Sequence, residues 1–201
     1  SSRIVAVRPD ETGLVFGLNA TIQDGDGRIL ADTSTLQGFD FQESHHTAVR
    51  VVAERMEDVN LDGDGVGLAG ADVIYDVSSP SGEVQVSSVD GPSAGAAATL
   101  TLMAAIENKR VRSDAVITGT ISSDGSIGQI GGLSVYLDRE GQLHVLGKPA
   151  AAHDSGLGLL LVPEGQPVTY YEPQQFGPWS RWVSTYRSIS FLREVIDQKG
   201  W

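Results

Sequence analysis

The sequence predicts an α/β fold (α+β in the looser sense) of mixed sheets and packed helices. Three observations predict it. Short β-branched, apolar runs recur along the chain, at 3–6, 14–22, 73–77 and 115–121. Two longer stretches between them, 41–56 and 93–106, have helical spacing or a run of small residues. The 201 residues, 40% of them hydrophobic, suffice for one sizeable domain with a full core.

Taken in order, 3–6, 14–22 and 28–32 read as antiparallel strands, with Asp24-Gly25-Asp26-Gly27 as a hairpin turn. Segment 41–56 places Val49, Val52 and Ala53 on an apolar helix face. His45 and His46 lie near its start, but adjacent helical residues point apart, which weakens a shared metal. Asp58, Asn60, Asp62 and Asp64 put oxygens at alternate positions with Gly63 sixth, the first half of an EF-hand loop. Ala69 stands at the twelfth position, where a bidentate glutamate belongs. An acidic, glycine-rich connector is the favoured reading, and a weak calcium site completed by Asp72 or other ligands is the alternative.

Strands are expected at 73–77 and 83–86, followed by a helix of small residues over 93–106. Strands at 115–121 and 126–130 flank the Asp124-Gly125 turn. Segment 135–146 alternates about Glu140-Gly141 and reads as a β-hairpin. Lys148 precedes Pro149 at a helix start, and an apolar strand follows at 157–162. Residues 163–178, rich in Pro, Gln and Tyr, read as extended loop, with Phe176, Trp179 and Trp182 capping the core. A last helix is expected at 189–199, with Leu192, Val195 and Ile196 inward. The division is a main domain over 1–163 and an extension, 164–201, packing on it.

The chemically richest segment is Asp90-Gly91-Pro92-Ser93-Ala94-Gly95. It sets a serine between small residues, after a strand and before a helix. A helix start offers unpaired N–H groups and the positive end of the dipole, an environment that stabilises an alkoxide or an oxyanion. Ser93 is therefore a candidate nucleophile, and its base is the open question. Gly91-x-Ser93-x-Gly95 matches the nucleophile elbow of α/β-hydrolases, which would call on His144 or His153 as base. Lysine is the other candidate: Lys109 sits at a polar helix end, Lys199 in the tail, and Lys148 at an element boundary beside Gly and Ala. Burial there would depress its pKa towards the value that base catalysis needs.

The net charge of −12 argues against binding nucleic acid through its phosphates. With no cysteine, a disulfide, a thiol nucleophile and a thiolate metal site are excluded. No signal peptide and no apolar run long enough to span a bilayer is present. The start, Ser1-Ser2-Arg3, reads as the product of processing or of trimming, so a leader or membrane tether outside this sequence fits. An extracytoplasmic or membrane-associated setting is slightly favoured over the cytoplasm.

Asp90 to Gly95, then Thr118-Gly119-Thr120-Ile121, then Gly125-Ser126-Ile127-Gly128-Gln129-Ile130-Gly131-Gly132-Leu133, resemble in order and spacing the proteolytic domain of Lon-type Ser–Lys proteases. The resemblance covers roughly 28–163 and is strongest from Val89 onward. In that family a catalytic lysine follows the Gly-Gly-apolar segment and opens an Ala-rich helix leading to a strand that ends in Pro. Here Ser134-Val135-Tyr136 follows instead, and Lys148-Pro149-Ala150-Ala151-Ala152 resumes the pattern up to Pro163. An insertion over about 134–147 makes Lys148 the family's lysine. The competing alignment puts Tyr136 in its place and leaves the site silent.

The resemblance implies Ser93 as nucleophile, Lys148 as general base and acid, and Thr118 as the residue that orients the lysine. Asp90, Gly91, Pro92, Ala94 and Gly95 then form the active-site turn. It implies polypeptide substrates, no cofactor and a ring-like homo-oligomer. No Gly-x-x-x-x-Gly-Lys-Ser/Thr segment is present, and the chain looks most like stand-alone, ATP-independent members from archaea and bacteria. It departs from many members in having Thr120 where they carry Glu. The alternatives are a catalytically silent binding or assembly module of this fold and an esterase using Ser93 with His153.

Overall fold

The computed structural model describes residues 1–32, 34–79, 88–137, 143–157, 159–164, 166 and 183–186, with 134–137, 143–145 and 183–186 described as backbone alone. The expected strand at 83–86, the hairpin tip at Glu140-Gly141, the aromatic cap and the helix at 189–199 lie outside the described residues.

In chain order the elements are β1 (Ser2–Val7), β2 (Gly13–Asp24), β3 (Ile29–Ala31), β4 (Leu36–Gln37), α1 (Phe39–Arg55), β5 (Ala71–Ser78) and β6 (Ser88–Val89). A 3-10 turn (Pro92–Ala94) leads into α2 (Gly95–Ile106), then β7 (Ala115–Ile117), β8 (Thr120–Ile121), β9 (Ile127–Gly128) and β10 (Leu133–Leu137). The last described elements are β11 (Leu143–Leu146), α3 (Gly147–Asp154), β12 (Leu159–Pro163) and β13 (Val183–Tyr186). The main sheet is mixed, in the order β13-β12-β7-β1-β2-β5-β3.

Burial alternates across this sheet with the period of two that a strand dictates. Ile4, Phe16, Leu18, Ile117 and Leu161 point to one face, where α1 and α2 cover them. Val5, Val15, Val116, Leu160 and Val162 point to the other, where Ala151 and Ala152 of α3 pack. The sheet is therefore the middle of three layers. Helix α1 buries Phe41, Ser44, His45, Ala48, Val49, Val51 and Val52, a stripe at the 3.6-residue period. Helix α2 is buried almost all round, which its run of Ala and Gly permits. Its two central threonines, Thr99 and Thr101, return their hydroxyls to the carbonyls of Gly95 and Ala97, so no polar group is stranded.

One sequence expectation is corrected. Segment 28–32 does not hairpin back on β2; β3 lies parallel to β5, and β5 occupies the edge of β2 that a hairpin would have taken. The carboxylate of Asp72 explains the diversion. Its Oδ1 accepts the N–H groups of Asp26 (3.0 Å) and Arg28 (2.9 Å), carrying the turn across the end of β5. Gly25 N–H also donates to the carbonyl of Gly70.

The acidic segment 58–69 is a tight connector. The N–H of Val66 donates to Asp62 and Asp64 carboxylates, both at 3.0 Å, and Leu61 bridges Leu68. Asp72 is engaged on the turn just described. Among the described residues, no group of three or more His, Asp or Glu side chains is placed to hold a metal ion. No described helix is long and apolar enough to cross a membrane.

Candidate active site

Asp90 and Gly91 set up the turn that presents Ser93. Gly91 has φ 95° and ψ 149°, a backbone state that a side chain would make costly, and it swings the chain from β6 into the 3-10 turn. Asp90 Oδ1 accepts the N–H of Gly91 (2.7 Å) and of Phe41 (3.3 Å). Phe41 is the third residue of α1, so Asp90 supplies from a distance the cap that Gly38 cannot. The Ser93 turn and the start of α1 are thereby pinned together. Pro92 is exposed, Ser93 is half-buried, and Ala94 and Gly95 are buried. A β-carbon on Gly95 would lie 2.6 Å from the Ile121 Cγ2, so glycine lets α2 sit against β8.

The turn is stitched to the segment after β7 through the main chain of Ser93. The Ser93 carbonyl accepts the N–H of Gly119 (2.8 Å) and the hydroxyl of Thr118 (3.3 Å), and Gly119 in return accepts the N–H of Ala96 (3.0 Å). Thr118 is fully buried, and its own N–H donates to Leu161 of β12. Thr118 is thus fixed by the sheet on one side and by the serine's backbone on the other.

Lys148 enters from α3. Its main-chain N–H donates to the Gly132 carbonyl (2.9 Å), and Leu133 bridges Gly147, so the start of α3 is held at the base of β10. Gly132 has φ 78°, and a β-carbon there would press on Val7 and approach the Lys148 Cε to 3.5 Å. The glycine therefore leaves room for the lysine stem. Lys148 is 4% exposed, and its Nζ donates to Thr118 Oγ1 at 2.9 Å. Burial pushes its pKa down from 10.5 to about 8.

Ser93 and Lys148 line one cleft of about 280 Å³. Four consecutive residues of β1, 4–7, line it too, together with Phe41, Val89 and Pro92. Side chains of a strand alternate between faces, so four in a row on one cavity means that the cavity meets the strand's edge. The pairing agrees: among the described residues β1 bridges β7 on that side only at Arg3↔Val116, whereas its other edge pairs with β2 throughout.

The residues singled out from sequence thus fall into two groups. Asp90, Gly91, Pro92, Ser93, Ala94 and Lys148 line the cleft, and Thr118 and Gly95 support it. His153 does not line it; it lies on the exposed side of α3, its Nδ1 3.1 Å from Asp154. Asp58, Asn60, Asp62 and Asp64 are absent from it as well. The insertion is an antiparallel β10–β11 pair, Ser134↔Leu146 to Leu137↔Leu143, that ends directly at α3. Sequence reasoning missed the edge of β1 and the cap that Asp90 gives α1. Both join segments far apart in the chain, and no local pattern signals them.

A serine at a helix-start turn, a buried amine and a strand edge meet on a three-layer α/β frame. Residues 9–165 match the Lon protease (S16) C-terminal proteolytic domain, and the chain belongs to that family. It is 35% identical to a Lon protease of Phenylobacterium zucineum over 121 residues, 60% of this chain and 14% of the relative. It is 30% identical to a Lon protease of Dictyoglomus thermophilum over 167 residues, 77% of this chain and 18% of the relative. Lon protease 3 of Sorangium cellulosum is 28% identical over a similar span, again covering 18% of the relative. The chain therefore spans less than a fifth of the length of these relatives.

Proposed function

We propose that this chain is an ATP-independent endopeptidase that hydrolyses peptide bonds in unfolded or flexible polypeptides with a Ser93–Lys148 dyad. The observation that carries the proposal is the buried Lys148 amine, held by Thr118 in the cleft that also holds Ser93. A pKa of about 8 leaves an appreciable neutral fraction near pH 7, which a base needs.

The substrate enters extended, its backbone pairing with the open edge of β1. Lys148 takes the Ser93 hydroxyl proton as Oγ attacks the scissile carbonyl, and then gives that proton to the leaving amine. Water attacks the acyl-enzyme by the same steps reversed, with Lys148 again as base. Gly95 and Ala96 already donate their N–H groups to Pro92 and Gly119, so the developing oxyanion is met by the N–H of Ser93 at the positive end of α2. Thr118 accepts from the lysine while donating to the Ser93 carbonyl, which keeps amine and nucleophile turn in one register.

The test is cleavage of an unfolded casein without ATP by the parent, Ser93→Ala and Lys148→Ala. Cleavage by the parent and its loss in both folded variants is the expected result. A parent that is inert from pH 6 to about 10, or full activity in Lys148→Ala, would overturn the proposal.

A further inference from the structure

Among the described residues outside the cleft, the two most exposed large apolar side chains are Phe39, 75% exposed, and Leu36, 62% exposed. They are not isolated. Leu36 belongs to β4 and lies in register with Ser88 of β6, and the next pair, Gln37 and Val89, is buried. Val89 lines the cleft, and so does Phe41, two residues beyond Phe39. Leu36 and Phe39 thus sit on the outer side of the elements whose inner side walls the active site. The exposed Pro92, next to Ser93, belongs to the same turn.

The charged side chains nearest this patch in the first two turns of α1 are acidic, and the first basic one of the helix, the exposed Arg50, comes two turns beyond Glu43. Residues 36–49 contain Asp40 and Glu43, both exposed, and no Lys or Arg, and Asp90 is exposed beside the serine turn. A second copy seated face to face here would bring the same acids together, at a cost. A segment with an apolar side chain flanked by lysine or arginine satisfies both features of the surface.

We propose that Leu36 and Phe39, with Asp40 and Glu43, form an accessory docking patch for such apolar–basic segments of the polypeptide, next to the catalytic cleft. The proposal rests on the peptidase reading for its purpose but not for its measurement. The probes are two labelled, unstructured peptides that differ only in whether Lys or Glu flanks a Leu-Phe pair. Binding is read by fluorescence anisotropy on Ser93→Ala, in which the chemistry is removed.

The expected result is preference for the Lys-flanked peptide, about tenfold weaker binding when Leu36→Ser and Phe39→Ser are added, and weakening with salt. Both side chains are exposed, so the double variant should stay folded. Asp40→Lys with Glu43→Lys is the second variant, and it should reverse the preference towards the Glu-flanked peptide. Equal binding by the Leu36→Ser/Phe39→Ser variant, or indifference to peptide charge in both Ser93→Ala and the Asp40→Lys/Glu43→Lys variant, overturns the proposal. So does sedimentation showing that the double variant dissolves an oligomer, which would make the patch a contact between copies. If the parent cleaves casein while the patch is indifferent, this inference alone falls. If the parent is inert while the patch still selects the peptide, the peptidase reading alone falls.

Discussion

Lys148 carries a conflict that the fold resolves in favour of chemistry. Its ammonium is disfavoured by burial, so the folded chain holds it at a pKa of about 8 against 10.5 in water. The unfolded chain therefore binds the proton more tightly, and the folded state is penalised below pH 8, with the penalty fading as pH rises towards 10.5. Replacing Lys148 by Met should remove cleavage and raise stability by roughly 1–3 kcal/mol at neutral pH, read by denaturant melts. If the neutral Lys148 amine is the base, as proposed, kcat/KM of the parent should climb with pH and level off above about 8. An inflection near 6.5 would point to a histidine instead. Asp90 makes a second prediction at this scale. Asp90→Ala removes the cap on α1 and should cost about 1 kcal/mol while lowering kcat more than it raises KM, since the serine turn loses its anchor. Asp90→Asn keeps an acceptor and should retain most of both. Lost stability with unchanged kcat would separate the cap from the turn.

Helix α1 shows what a pattern in the sequence does and does not reveal. The periodicity of Val49, Val52 and Ala53 located it, and adjacent His45 and His46 do point apart, the first buried and the second exposed. That His45 stacks on Tyr75 at 4.0 Å and meets Phe41 edge-on at 4.8 Å was not legible, because Tyr75 arrives on β5 thirty residues later. Its buried Nε2 has no hydrogen-bond partner, and burial pushes its pKa down to about 3. The unfolded chain takes up this proton below 6.5 and the folded one does not, so stability falls as pH drops from 6.5 towards 3. The loss from this one group is of the order of 4 kcal/mol at the acid end. His45→Phe should flatten thermal melting between pH 6.5 and 4, leaving the slope due to carboxylates; an unchanged profile would remove His45 as the cause. The same limit explains the misplaced β3. Asp24-Gly25-Asp26-Gly27 has the composition of a hairpin turn, yet the carboxylate that redirects it is Asp72, on another strand. The motif segments, by contrast, were readable because each is local: Gly91 for its backbone, Ser93 for its helix start, Lys148 for its boundary.

At the scale of the whole molecule, composition gave the sign of the interaction problem but not its geometry. A net charge of −12 on 201 residues makes every encounter between copies repulsive at long range. The family resemblance implies a ring of copies, and a ring must bring such surfaces within a few ångströms. The two statements are compatible only if the contact itself is short-ranged and the repulsion can be screened. Screening is governed by the Debye length, which falls from roughly 20 Å at ~0.02 M salt to about 6 Å at ~0.3 M. Assembly should therefore strengthen with ionic strength, the reverse of the accessory patch, where unlike charges attract and salt weakens docking. Sedimentation velocity at the two salt concentrations should show a heavier species at the higher one, and cleavage per chain should rise with it if neighbouring copies help to order the cleft. A single monomer-sized boundary at both concentrations, with unchanged activity, would mean that the chain works alone. The open edge of β1 would then be reached from solvent directly, with no chamber to restrict which polypeptides find it.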